Sequence, residues 1–133
     1  MDIYAQNILD RYKTPFYKGK FTDGDLNHKE ANHSCGDVVE MSLKMSDGKV
    51  TDYSFTGNGC AISMASADIL GDVIEEMSEE DVLKLNFKDL EEVLGIPISL
   101  RRSKCALLSL LTLQNGLLVK KGESKKEWTD YKI

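Results

Sequence analysis

The chain has no surplus of positive charge, no long unbroken apolar run, no CxxC pair and no secretory-type start. Each absence removes a class of function. A formal net charge of −5 lacks the basic excess that phosphate backbones demand, so nucleic acid is not the expected partner. The longest apolar-rich stretch, Ala106 to Val119, is interrupted by Gln114, Asn115 and Gly116 and is too short to span a bilayer. No membrane role is expected. Met1-Asp2-Ile3-Tyr4 offers neither a basic region nor an apolar one, so the expected compartment is the cytoplasm, where thiols stay reduced. Without CxxC, neither a zinc ribbon nor a thioredoxin motif is available. There is no internal repeat and no low-complexity tract. A length of 133 residues, 41% hydrophobic and 29% charged, fits one domain able to bury a core without disulfides. That domain is expected over residues 1–122, followed by a loosely packed polar tail over 123–133.

What the chain does contain is three separated cysteines, each in its own short signature. Cys35 lies in Asn32-His33-Ser34-Cys35-Gly36-Asp37, Cys60 in Gly57-Asn58-Gly59-Cys60-Ala61-Ile62-Ser63, and Cys105 in Arg101-Arg102-Ser103-Lys104-Cys105. An odd number of cysteines favours metal or thiol chemistry over a disulfide framework. Three thiols and the nearby Asp37 make four potential ligands, the number needed by tetrahedral zinc or by a two-iron, two-sulfide cluster. The plain alternative for any one cysteine is a small buried hydrophobe.

The hydrophobic pattern brings two of these signatures together. Val38 to Ser46 and Lys49 to Thr56 alternate apolar and polar residues around Asp47-Gly48, a strong hairpin signal. The pairing brings the end bearing Cys35 and Asp37 against the end bearing Cys60. Leu26 to Ser34 reads as a further edge strand. Helices are expected over Asp2–Lys13, with Asp2 as cap, Pro15 as stop and Ile3, Ile8, Leu9 and Tyr12 as the apolar face. Others follow over Ala61–Met77, from the Ser78 cap to about Asn86, over Lys88–Leu94, and from Ser99 to about Lys120. Cys60 then begins one helix, and Cys105 lies early in another beside Arg101, Arg102 and Lys104. Both settings favour thiolate over thiol. The fold class expected is α+β, a small antiparallel sheet of about three strands packed against four to five helices.

The three cysteine blocks, in this order, resemble the U-type iron–sulfur cluster assembly scaffold family: IscU, SufU and the N-terminal domain of NifU. The resemblance covers about residues 2–121, and Gly57-Asn58-Gly59-Cys60-Ala61-Ile62-Ser63 is its most specific piece. It implies a SufE/NifU-like fold with the thiols grouped at one exposed end. It also implies sulfur received from a cysteine desulfurase, an iron or electron donor, a transient [2Fe-2S] cluster, and transfer to apo-iron–sulfur acceptor proteins. Cys35, Asp37, Cys60 and Cys105 are the implied ligands, of zinc at rest or of the cluster, and Cys105 is the first candidate to accept persulfide. A monomer or weak homo-oligomer is expected.

Two departures matter. IscU members usually carry His before the third cysteine, where this chain has Lys104, an outer neighbour able to steady a sulfur species or tune Cys105. SufU members, which bind zinc and accept sulfur, usually carry an insertion between the second and third blocks, absent here. Cluster scaffold and zinc-dependent sulfur acceptor thus both stand, with a structural zinc protein as the alternative from another class. His33-Ser34 occupies a position commonly held by proline. His33 is read as a solvated loop residue with ligation as the alternative, and His28 as a surface residue. Arg101 and Arg102 are read as desulfurase contacts or a solvated face, the acidic run Asp72 to Glu92 as exposed helix, and the methionines as core.

Overall fold

The computed structural model describes residues 3–19 and 24–131. Five α-helices and one three-stranded sheet are present among them: α1 (Ile3–Lys13), β1 (Leu26–Asn32), β2 (Asp37–Ser46), β3 (Lys49–Asn58), α2 (Ala61–Ile74), α3 (Glu79–Lys84), α4 (Phe87–Leu94) and α5 (Ser103–Lys120). Asp2, expected to cap α1, lies outside the described residues. The α+β class and the helix count match expectation. No helix among the described residues is long and apolar enough to cross a membrane.

The sheet has the order β1-β2-β3 and is antiparallel throughout. Asp47 (φ 55°) and Gly48 (φ 74°) both adopt the left-handed backbone of a type I′ turn, whose twist suits a two-residue hairpin. Val39, Met41 and Leu43 of β2 point into the core, as the alternation predicts. In β3 the inward residues Val50 and Tyr53 are three apart, which simple alternation does not allow. Lys44 pairs with Asp52 but Met45 with Val50, so Thr51 is the extra residue of a bulge. Its hydroxyl donates to the Lys44 carbonyl at 3.1 Å.

Helices α2 and α5 pack on each other, α2 against β3 and α5 against β1 and β2. They start near the sheet end where β2 begins and β3 finishes, since Val38 pairs with Asn58. The expected α2 runs shorter than its stripe suggests, ending at Ile74, because Glu76 turns left-handed (φ 63°) and Met77 joins the sheet side by accepting from Val50 N–H. The inward face of α1 is Ile8 with Arg11, while Ile3 and Tyr12 are exposed. The reason is a buried ion pair: Arg11 Nε donates to Asp68 Oδ2 at 2.5 Å and Nη1 to Asp72 Oδ2 at 2.7 Å. Asp68 also accepts from the Phe16 and Tyr17 backbone N–H groups, fixing the chain after α1.

The polar tail does not pack loosely, contrary to expectation. Asn115 accepts from Lys126 N–H at 2.6 Å, and Gln114 Oε1 accepts from Tyr131 Oη at 2.5 Å and Lys126 Nζ at 3.0 Å. Tyr131 is 6% exposed. Nor is His28 a free surface residue: its Nε2 lies 2.7 Å from Glu30 Oε2, which also accepts from Lys125 Nζ (2.9 Å) and Asn115 Nδ2 (3.0 Å). Asp72, Glu75, Glu76, Glu80, Asp81 and Glu92 are exposed as read, although Asp72 is tied to Arg11 and Tyr17.

Candidate metal centre

Cys35 stands in the four-residue loop joining β1 to β2. Asn32, the buried last residue of β1, builds that loop: its carbonyl accepts from Gly36 N–H (2.8 Å) and Cys35 N–H (3.3 Å), and its side chain accepts from Ser34 N–H (3.2 Å). The thiol is left exposed. Asp37 opens β2 on the inward face, since strand alternation places it with Val39 and Met41, and it is buried. Close approach of the next chain segment depends on Gly59. A Cβ there would come within 2.9 Å of the Asp37 carboxyl carbon, so any side chain would push Asp37 out.

Cys60 is the N-cap of α2, but its side chain makes no capping bond; Sγ instead lies 3.5 Å from Ser63 Oγ. Cys105 is the third residue of α5, behind the single 3₁₀ turn Leu100–Arg102, and is 7% exposed. Ligand atoms of Cys35, Asp37 and Cys105 all lie within 4.8 Å of one another. Cys60 lies outside that group and approaches it through Ser63, whose Oγ lies 3.5 Å from Cys60 Sγ and donates to Asp37 Oδ2. The hairpin sets Cys35 and Asp37 at the sheet end where Cys60 follows β3, as the sequence suggested, but the thiol grouped with them is Cys105 of α5.

Electrostatics at Cys105 run opposite to expectation. Burial, then the neighbouring Cys60, Cys35 and Asp37, push its thiol up to about 11. Arg101, Arg102 and Lys104 face solvent and do not offset this. Lys104 extends over Trp128, its Nζ 5.9 Å from the ring centroid. His33 is likewise exposed, lining an open cleft with Lys104 and Trp128. A thiol crowded by negative partners in a dry setting loses its proton readily only when a cation takes the proton's place.

Sequence reading missed Ser63 and Asn32, the two polar residues that hold the site's members. The signal for Ser63 was its spacing: an N-cap and the third helical residue face one another, so Cys60 and Ser63 had to meet.

A family model described as the NifU-like N terminal domain matches residues 3–127. The chain belongs to this family. Relatives of the NifU-like domain divide between two kinds. The zinc-dependent sulfurtransferase SufU of Bacillus subtilis is 31% identical over 90% of this chain and 92% of its own length. The iron–sulfur cluster assembly scaffold protein IscU of Thermotoga maritima is 34% identical over 86% of this chain and 92% of its own. Among solved structures, a candidate iron–sulfur cluster assembly scaffold for the SUF system from Fervidobacterium islandicum superposes with a TM-score of 0.74, at 26% identity over 84% of this chain and 94% of that one. The NifU-like N-terminal protein of Brucella abortus shares the fold at a TM-score of 0.73 and 21% identity. The U-type scaffold resemblance is therefore established.

The donor set suits what these relatives' names describe. Three soft sulfurs and one carboxylate oxygen supply the four donors of tetrahedral zinc or of a two-iron cluster. A Zn–S bond of about 2.3 Å sets sulfur–sulfur spacings near 4 Å, so the Cys35, Asp37 and Cys105 donors, already within 4.8 Å, need little movement to close on one ion, while Cys60 must swing in from beside Ser63.

Proposed function

We propose that this chain is an iron–sulfur cluster assembly scaffold that takes persulfide sulfur from a cysteine desulfurase, iron from a donor, and from an electron donor the electrons that reduce that sulfur to sulfide. It assembles a [2Fe-2S] cluster on Cys35, Asp37, Cys60 and Cys105 and hands it to apo-proteins. The observation that carries the reading is the convergence of the Cys35 and Cys105 thiols with the buried Asp37 carboxylate, Cys60 standing next to them across Ser63 and Cys35 open to solvent. At rest the same four residues would hold zinc, which when bound would keep the thiols deprotonated. A structural zinc site is normally closed by cysteine and histidine; an aspartate donor and an exposed Cys35 suit exchange instead.

The pattern of exposure favours Cys35 over Cys105 as the entry point for sulfur. A persulfide carried by a partner protein must be reached from outside, and Cys35 is the exposed thiol while Cys105 is buried. The Cys35 thiolate attacks the terminal sulfur, a new S–S bond forms on Cys35, and the donor cysteine leaves as thiolate. Cys105 then serves as the inner ligand.

The second reading, a zinc-dependent sulfur acceptor, is favoured by Lys104, which cannot ligate while protonated and is turned toward Trp128. The short interval between Cys60 and Cys105, filled by α2, α3, α4 and the 3₁₀ turn Leu100–Arg102, favours the scaffold. Anaerobic incubation with ferrous iron, cysteine and a cysteine desulfurase separates them. A protein-bound visible chromophore that moves to apo-ferredoxin supports the scaffold. Retained zinc, no chromophore and faster cysteine turnover by the desulfurase would establish the sulfur acceptor instead.

A further inference from the structure

Ser63 is entirely buried, at 0% exposure, yet its hydroxyl touches two members of the centre. Oγ donates to Asp37 Oδ2 at 2.5 Å and lies 3.5 Å from Cys60 Sγ. Satisfying a buried hydroxyl does not by itself account for this. The buried hydroxyls of Ser66, on the same helix, and of Ser109 have no hydrogen-bond partner among the described residues, so burial on these helices does not by itself bring a serine hydroxyl to a carboxylate.

We propose that Ser63 is the positioning residue of the thiol–carboxylate centre, its hydroxyl fixing Asp37 and Cys60 relative to one another. The assignment rests on the metal centre proposed above. A hydroxyl carries one hydrogen and two lone pairs. With the hydrogen given to Asp37, the lone pairs face the Cys60 thiol. One carboxylate oxygen is thereby held by Ser63, leaving Asp37 a single oxygen to offer a metal. Gly59 completes the device, because a side chain there would displace the carboxylate from the hydroxyl. A ligand oriented by an outer partner loses affinity when that partner is removed, by about 10- to 100-fold in comparable sites.

The test uses the full chain and zinc alone, in competition with a chelator of known affinity, for wild type, Ser63→Ala, Asp37→Ala and the double variant. Ser63→Ala is expected to weaken zinc about tenfold while the metal-free protein still unfolds in a single cooperative transition. In the Asp37→Ala background the same change is expected to cost less than about threefold, because the residue acts through Asp37. Cobalt-loaded Ser63→Ala should keep its thiolate charge-transfer intensity and shift only its ligand-field bands. Wild-type zinc affinity in Ser63→Ala, or a full tenfold loss that persists without Asp37, would overturn the assignment. Wild-type protein that binds no zinc or cobalt would overturn the centre itself and the assignment with it, an outcome distinct from a normal centre indifferent to Ser63.

Discussion

A carboxylate among three thiols is the hard donor in a soft set, and the bond it makes to zinc or iron is the first to open in ligand exchange. Asp37→Ala is accordingly expected to weaken zinc, one donor of four being lost, and to slow release of a cluster to an acceptor. Chelator competition and a transfer assay measure the two effects; if neither changes, Asp37 is only a strand-end residue bonded to Ser63. The three thiols differ in reach in the same way. Cys35 is exposed, Cys60 half-buried and Cys105 buried. Alkylation of the metal-free protein, followed by peptide mass, should label Cys35 first and Cys105 last. Cys35→Ser should abolish persulfide trapping from the desulfurase, while Cys105→Ser should retain it. The reverse order would return the acceptor role to Cys105. At this scale the sequence named the candidate residues but not their environment. Arg101, Arg102 and Lys104 adjoin Cys105 in sequence, yet the helix turns them outward while the thiol turns in.

Among the elements, the hairpin was the most legible, because Asp47-Gly48 and two alternating runs leave little freedom of register. The Thr51 bulge was not, since an inserted residue shifts the alternation only locally. Helix α1 illustrates the other limit. Its apolar residues suggested the buried face, but Arg11 takes the inward position because Asp68, distant in sequence, waits in α2. No local pattern announces a partner that far away. The pair is 8% and 0% exposed, and Asp68 also accepts two backbone N–H groups. Removing one partner leaves a buried charge uncompensated, so Arg11→Met is expected to cost about 3–5 kcal/mol. Urea unfolding measures it; a loss below about 1 kcal/mol would show that Asp72 and solvent replace the contact.

Over the whole molecule, sheet, helices and tail converge to hold one end open and the rest shut. The tail closes the side where β1 and α5 meet, through Gln114, Asn115 and Glu30. Its role was not legible because Gln114 and Asn115 read as interruptions of an apolar helix, not as anchors. Burial raises the Glu30 carboxyl, but hydrogen bonds from Lys125, His28 and Asn115 outweigh it and hold the group below the usual range. A lowered carboxyl stabilises the fold above its unfolded value, near 4.3, and that contribution is lost as pH falls through the lower folded value. Melting temperature should therefore drop more steeply below about pH 4.3 in wild type than in Glu30→Gln, which is already less stable at neutral pH. Parallel curves would assign the acid sensitivity elsewhere.

All of this architecture serves one claim, that three cysteines and Asp37 bind metal together. X-ray absorption at the zinc edge of the loaded full-length protein tests it most directly. The account predicts three sulfurs at about 2.3 Å and one oxygen or nitrogen at about 2.0–2.2 Å, with the light-atom shell altered in Asp37→Ala. Two or fewer sulfurs, or an unchanged light-atom shell in that variant, would contradict it.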